Sequence, residues 1–408
     1  MPGLEPGIHV FDNSGEDVDG RVKPGHDRGE YEKMSSKRHA EIVGGGFSGL
    51  AAAGALAQRG WSVRLHERSP ELRPSGAGIY IYENGLRVLE KLGAYDEAVK
   101  GAPFAHTREM RDENNKVLSV HRWDPSKRVF SVVRQRVINA MADAARRNGV
   151  EIVLGSEAVA ATPDGELIMA DGTRHKADLI VAGDGVNSKI RDSLNLIAKR
   201  KGLPDGAIRV LIPKTPEEMA SGDGGTTIEN WSGSRRILYT PVSETEVYIA
   251  LTMLHSDEIG KRTPIDKADW KRSFPHWADL IDRITDDARY DRFEYIRLKK
   301  WSSGRVAVLG DAAHALPPNI GQGAGCSMMN GLSLAHYLDR EPDMTTALKV
   351  WEANERPLTE HTQRISVFLG LPTTWPTPLR RAFLTLAGKS KWMIAQRTKT
   401  ARHVPTGT

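Results

Sequence analysis

From Ala40 onward, short apolar runs alternate with amphipathic stretches, and the period of each run indicates its element. Ala40-Glu41-Ile42-Val43 leads into a glycine cluster, Leu50 to Gln58 is an alanine-rich helical stretch ending at Gly60, and Trp61 to Glu67 alternates as a strand does. Strand, tight turn, helix, strand is the opening of a doubly wound sheet. Pro70 to Gly78 reads as a loop and Gly85 to Leu92 as a helix. Arg111 to Phe130 is polar and strand-like, and Val133 to Arg147 returns to helical spacing. Val150 to Val153, the turn Pro163-Asp164-Gly165 and Leu167 to Met169 suggest a small sheet. Ala177 to Gly183 is continuously apolar apart from Asp178, the pattern of a strand buried on both faces.

Beyond residue 200 the pattern changes. Ile208 to Ile212, Thr226 to Trp231, Ile237 to Thr240 and Val247 to Leu251 alternate and are separated by turns, which predicts an antiparallel sheet. Period two also puts neighbouring Arg235 and Arg236 on opposite faces of that sheet. Residues 264 to 292 read as helical and charged, Arg305 to Leu309 as a buried strand rejoining the first sheet, and Gly323 to Leu338 as a long helix. The expected class is α/β: a Rossmann-like nucleotide domain, an inserted and mainly antiparallel sheet domain, and a helical C-terminus. The expected boundaries are 38–106, 128–200 and 290–345 for the discontinuous nucleotide domain, and 107–127 with 201–289 for the insert. Residues 346–408 form the closing helical segment with its basic tail. Residues 1–33, rich in Gly, Asp and Pro, read as a disordered leader, with Met34 an alternative start to Met1.

Chemistry concentrates at the glycines. Gly44, Gly46 and Gly49 follow a strand and open a helix, so the first permits the turn, the second admits a pyrophosphate and the third packs helix on strand. Phe47 and Ser48 lie inside this loop, and Glu67, with Arg68 beside it, ends the second strand where an acid meets ribose hydroxyls. Farther on stand Gly183-Asp184-Gly185, then Gly310-Asp311-Ala312-Ala313-His314 followed by Pro318 and Gly321-Gln322-Gly323-Ala324. Trp351 to Pro357 completes the series.

This ordered set resembles the FAD-dependent aromatic hydroxylases, the class A flavoprotein monooxygenases with a p-hydroxybenzoate hydroxylase-like fold. The resemblance spans about three quarters of the chain. It implies bound FAD held through Gly44, Gly46, Phe47, Ser48, Gly49, Glu67, Arg68, Arg134, Asp184, Asp311, Pro318, Gly321, Gly323 and Ala324. It further implies that NADH or NADPH visits transiently to reduce the flavin, and that O2 then forms a flavin hydroperoxide that hydroxylates an electron-rich ring. Gly76-Ala77-Gly78-Ile79-Tyr80, Asn84 to Glu90, Arg236-Ile237-Leu238-Tyr239 and Gln322 to Cys326 are similar to the hydroxypyridine-carboxylate oxygenases within that family. By that likeness Arg209, Arg236 and Tyr248 contact substrate, Arg236 and Tyr248 act catalytically, and Arg108 replaces a substrate-contacting tyrosine. A small aromatic carboxylate is the expected substrate, since arginine grips a carboxylate in bidentate fashion. Gly325 and Asn330 depart from the family's usual Asn and Asp on that helix. An FAD-dependent dehydrogenase, another flavoprotein on the same scaffold and a non-enzymatic flavin-binding protein are the competing readings.

Composition narrows the rest. With 57 basic and 52 acidic residues the net charge is +5, too weak a field to indicate nucleic acid. Lys389, Lys391, Arg397, Lys399 and Arg402 form a tail free of acids, expected as a solvated helix face. No apolar run is long enough to span a membrane, and a lone cysteine, Cys326, fits a reducing compartment, so the cytoplasm is expected. Neither a metal cluster nor a nucleophile triad is evident, and both monomer and homo-oligomer stay open.

Overall fold

Continuous apolar runs become central strands because a strand buried on both faces has no place for polar side chains. In the computed structural model, which describes residues 37–72, 77–124, 126–221, 224–286 and 288–408, these runs build a six-stranded sheet. Its order is Ser302–Ser303, Val306–Val308, Leu179–Ala182, His39–Val43, Ser62–Glu67, Glu151–Leu154. All pairings are parallel except that of the Ser302–Ser303 edge. The expected leader and Gly76 lie outside the described residues.

Helix Phe47–Ala57 covers this sheet, and its alanines are explained by what crosses it. Gly331 of helix Gly323–Arg340 sits so near that a Cβ there would lie 2.8 Å from the Ala52 nitrogen and 2.9 Å from the Ser48 carbonyl oxygen. Small residues on both helices are the condition for that contact. The long helix Met344–Gly370 follows and buries Trp351 against Trp301, ring centroids 5.3 Å apart.

The alternating runs form a seven-stranded sheet, ordered Arg289–Leu298, Ile197–Pro213, Glu246–Leu254, Arg235–Pro241, Thr226–Ser232, Thr107–Arg111, Val117–Arg122. Only the Thr226–Ser232 and Thr107–Arg111 pair is parallel. Here the sequence reading needs correction. Residues 264 to 292 are not helical throughout, and the segment from 290 does not return at once to the nucleotide sheet. Helical turns cover Lys267–Ser273, Pro275–Trp277 and Ala278–Asp282, after which Arg289–Leu298 is a strand on the edge of the seven-stranded sheet. Edge strands carry charge that blocks further pairing, and that charge hides the period-two signal.

One face of the seven-stranded sheet is apolar: Ile208, Val210, Ile212, Ile237, Val247, Ile249 and Leu251 pack on Trp270, Phe274, Leu280 and Ile281. Its other face turns toward the glycine loops. The closing helices Thr377–Lys389 and Lys391–Thr398 come back to this second face, where a Cβ on Gly388 would lie 3.0 Å from Ser119. Among the described residues no helix is long and apolar enough to cross a membrane.

Candidate active site

Strand His39–Val43 delivers Gly44 at φ +102°, a conformation that L side chains rarely adopt, and a Cβ on Gly49 would collide with the Gly44 carbonyl. Both glycines are required by the turn itself. Gly46 is different, because a Cβ there would meet nothing within 4 Å. The space it leaves open stands before the first turn of helix Phe47–Ala57, where unpaired N–H groups favour a phosphate. Glu67 accepts from the Gly45 N–H (2.8 Å) and the Ser69 N–H (2.9 Å), bracing the loop, while Arg68 is exposed beside it.

The two distant glycine motifs meet this same loop. A Cβ on Gly183 would lie 2.9 Å from Ser48 Oγ, and one on Gly310, which has φ +64°, would lie 2.5 Å from it. Buried Arg191 fastens them to each other by donating to the carbonyls of Val186 (3.1 Å) and Ala312 (3.2 Å). Asp184 Oδ1 is buried with no hydrogen-bond partner among the described residues, and burial raises its pKa. Asp311 has an exposed side chain, yet desolvation raises its pKa against the pull of Arg134 and Arg209, so it faces a hollow walled by protein. Pro318, also exposed, starts the turn Pro318–Ile320, Gly321 follows at φ +64°, and a Cβ on Gly323 would again meet nothing within 4 Å. His314 instead is core: burial lowers its pKa to about 4, its Nε2 faces Asn330 Nδ2 at 2.9 Å, and Trp301 packs over it.

Directly paired residues share a face of a sheet. Pairing of Arg209 with Ala250, Tyr248 with Leu211 and Thr240, Arg236 with Thr252 and Trp231, Glu229 with Leu238, and Arg108 with Thr227 and His121 puts all of these on the face toward the glycine loops. Arg235 points the other way, into ion pairs with Asp257 and Asp269, both at 2.6 Å.

On the site face the candidates form two groups. Arg209 stands 3.8 Å from Asp291 and within the electrostatic reach of Tyr248, Arg134 and Asp311. Arg134, first residue of helix Arg134–Arg147, lies 5.1 Å over the Phe47 ring, and burial lowers its pKa. Tyr248 is backed by Gly78, whose Cβ, if present, would lie 2.5 Å from the tyrosine's Cβ and Cγ.

The second group centres on Glu229, a residue the sequence reading missed. Arg108 donates to it directly, and Arg236 donates to it at 3.3 Å and to Asn319 Oδ1 at 2.8 Å. Burial favours the neutral acid, but the two guanidinium groups outweigh it and hold Glu229 down at about 2. Asn319 lies in the Pro318 turn, so this network links the sheet to the second glycine motif. A cleft opens here, lined by Arg108, Glu229 and Arg236 from the sheet, by Leu369 from helix Met344–Gly370 and by Phe383 and Ile394 from the closing helices. Arg209 and Tyr248 lie outside its lining. Of the basic tail, Lys389, Lys391, Lys399 and Arg402 are exposed as expected, whereas Arg397 borders the cleft.

Residues 38–341 match the FAD binding domain family. The chain belongs to that family. It is 41% identical over 362 residues to the 2-heptyl-3-hydroxy-4(1H)-quinolone synthase of Mycobacteroides abscessus, covering 87% of this chain and 96% of the relative. A Rhodococcus erythropolis protein provisionally given the same name is 43% identical over 371 residues, covering 90% and 97%. The crystal structure of tetrameric 2-methyl-3-hydroxypyridine-5-carboxylic acid oxygenase superimposes with a TM-score of 0.82 at 39% identity, covering 91% of this chain and 97% of that one. The protein is thus an FAD-dependent monooxygenase of the aromatic hydroxylase type, with NAD(P)H the co-substrate typical of the family. The residues present suit FAD: open space at Gly46 and Gly323, an unpartnered Asp184 oxygen and Asp311 facing a hollow.

Proposed function

We propose that this enzyme hydroxylates a nitrogen-containing aromatic ring that carries an apolar substituent, bound in the cleft between the site face and the closing helices. The single observation behind this reading is the mixed lining of the cleft: Arg108, Arg236 and Glu229 from the sheet, and a cluster of apolar side chains, Leu369, Phe383, Leu384 and Ile394, from the helices. Polar groups orient a ring through its oxygen or nitrogen, and an apolar wall of this kind accommodates an alkyl chain. The quinolone ring and heptyl chain in the relatives' names agree with that division. Bound FAD, reduced by NAD(P)H, supplies the oxygen-transfer chemistry. Arg134, Asp311, Gly46 and Gly323 would hold it, Arg236 and Arg108 would orient the ring, and Trp231 with Phe383 would keep water out. The Arg209 and Tyr248 pair supports a second reading, a carboxylated hydroxypyridine, since it offers a guanidinium and a phenol beside Arg134.

Oxygen uptake and NAD(P)H oxidation with 2-alkyl-4(1H)-quinolones of graded chain length, alongside hydroxypyridine carboxylates, test both. Turnover that improves with chain length, with a product heavier by one oxygen atom, is the expected result. Turnover of the carboxylates alone would sink the first reading and leave the second. In either case Arg236→Ala raises KM by about tenfold or more, as loss of a charge-assisted contact should. Arg235→Ala instead lowers the thermal midpoint by uncovering Asp257 and Asp269 and leaves KM nearly unchanged. Equal effects on KM would remove Arg236 from the pocket.

A further inference from the structure

Arg397 is the residue of the basic tail that turns inward. It stands on helix Lys391–Thr398 and borders both the main cleft and an adjoining hollow of about 360 Å³ that Tyr82, His121 and Trp123 also line. It has no hydrogen-bond or ion-pair partner among the described residues. Burial, then repulsion from Arg108, lowers its pKa to about 10, so it remains charged at neutral pH, while Glu229 attracts it from beyond ion-pair distance. Glu229 is already engaged by Arg108 and Arg236. His121 adds no charge at neutral pH, because burial and the neighbouring arginines lower it to about 4.

Three guanidinium groups, Arg108, Arg236 and Arg397, therefore share one carboxylate in an enclosed cleft. A cation held out of water without a counter-ion carries a desolvation penalty, which an anionic ligand would offset. We propose that Arg397, together with Arg108, forms the subsite for an anionic oxygen on the substrate ring, making the C-terminal helix part of the active site. This rests on the hydroxylation reading above and gives its substrate a charge. The oxygen can belong to a ring carboxylate or to a 4(1H)-quinolone bound as its quinolin-4-olate, the ring N–H proton passing to solvent, and both present a negative oxygen to the guanidinium groups.

Full-length, FAD-loaded protein is titrated with two ligand pairs, and binding is read from the change in flavin absorbance. One pair is 6-hydroxynicotinate and its uncharged amide, which lacks the anionic oxygen; the other is 2-heptyl-4(1H)-quinolone and 2-heptylquinoline, which lacks the ring oxygen, and the first of each pair is its oxygen-bearing member. Arg397→Gln should weaken the oxygen-bearing member of one pair by roughly tenfold or more and leave its partner within about twofold. Arg397→Lys should recover most of the loss, and Lys399→Gln, on the exposed side, should change nothing. The pair that responds identifies the source of the oxygen. Equal losses for both members of both pairs, no preference for the oxygen-bearing member in the unmodified protein, or the same effect from Lys399→Gln would overturn the subsite. Where Arg397→Gln fails to retain FAD, Arg397→Met takes its place in the same titration. Arg397-dependent binding without any NAD(P)H oxidation keeps the subsite and refutes hydroxylation of these rings; turnover indifferent to Arg397 does the reverse.

Discussion

Two glycines three residues apart illustrate what a single residue can be asked to do. Gly49 is required by the protein, since its missing Cβ is what lets the Gly44 carbonyl approach. Gly46 has open space around it, so its smallness serves a ligand. Gly46→Ala should therefore fold with a thermal midpoint near that of the apo protein yet bind FAD at least about tenfold more weakly, because the methyl group occupies the pyrophosphate approach. Gly49→Ala should instead fail to fold or melt well below the parent. Flavin titration of the two apo variants, with melting curves, checks this, and tight FAD binding by Gly46→Ala would refute it. The glycine loop, Asp184 and Asp311 were legible in sequence because their chemistry is tied to local spacing. Glu229 and Arg397 were not, because their meaning comes from partners brought in by folding: Arg108 lies 121 residues from Glu229. The departures at Gly325 and Asn330 also gain sense only in space. A Cβ on Gly325 would stand 3.0 Å from Asn84 Nδ2, which fills that place, and Asn330 bonds to His314.

At the scale of elements, alternation was the most informative signal. It placed Arg235 and Arg236 on opposite faces without any partner being known, because the period of a strand is a property of the backbone. It failed for Arg289–Leu298, where an edge position replaces apolar alternation with charge. It also could not foresee that strand Gly78–Tyr82 would press on strand Glu246–Leu254 at one point. There Gly78 leaves room for the Tyr248 side chain, while Tyr80 Oη bonds to Thr227 Oγ1 (3.0 Å) and Thr240 Oγ1 (2.6 Å) on the two neighbouring strands. Gly78 lies in a strand, so what Gly78→Ala costs is the clash: the Tyr248 Cβ cannot rotate away, and the two strands must part. The added methyl must displace Tyr248 from its place near Arg209. Expected are a lowered melting midpoint, retained FAD and, at a temperature where the variant is fully folded, turnover reduced by about tenfold or more, the scale of a misplaced catalytic contact. Parental turnover would show that Tyr248 tolerates the shift or takes no part in catalysis.

Across the whole molecule, burial of titratable groups ties stability to pH, and the signs can be worked out group by group. His314 is a buried neutral base, held at about 4 by desolvation against an ordinary value of 6.5. Its Nε2 faces the Asn330 amide N–H, a donor, so protonating that nitrogen would set donor against donor. As pH falls from 6.5 through 4, the unfolded chain takes up a proton that the folded chain refuses, and stability drops by about 3 kcal/mol at full extent. Glu229 acts lower on the scale: its folded value of about 2 lies below the ordinary 4.5, so its stabilising contribution is present above 4.5 and is lost as pH falls toward 2. The two windows separate the effects. Urea unfolding of the full chain at pH 7, 6 and 5 should show stability falling with each step. His314→Gln should fall less steeply over that range, whatever it costs at pH 7, whereas Glu229→Gln should keep the parental slope there, since Glu229 is ionised in both states above 5. A His314→Gln curve parallel to the parent would mean that His314 takes up its proton equally in the folded and unfolded chain. The surroundings of His314 would then have to solvate an imidazolium, contrary to a side chain that is 1% exposed.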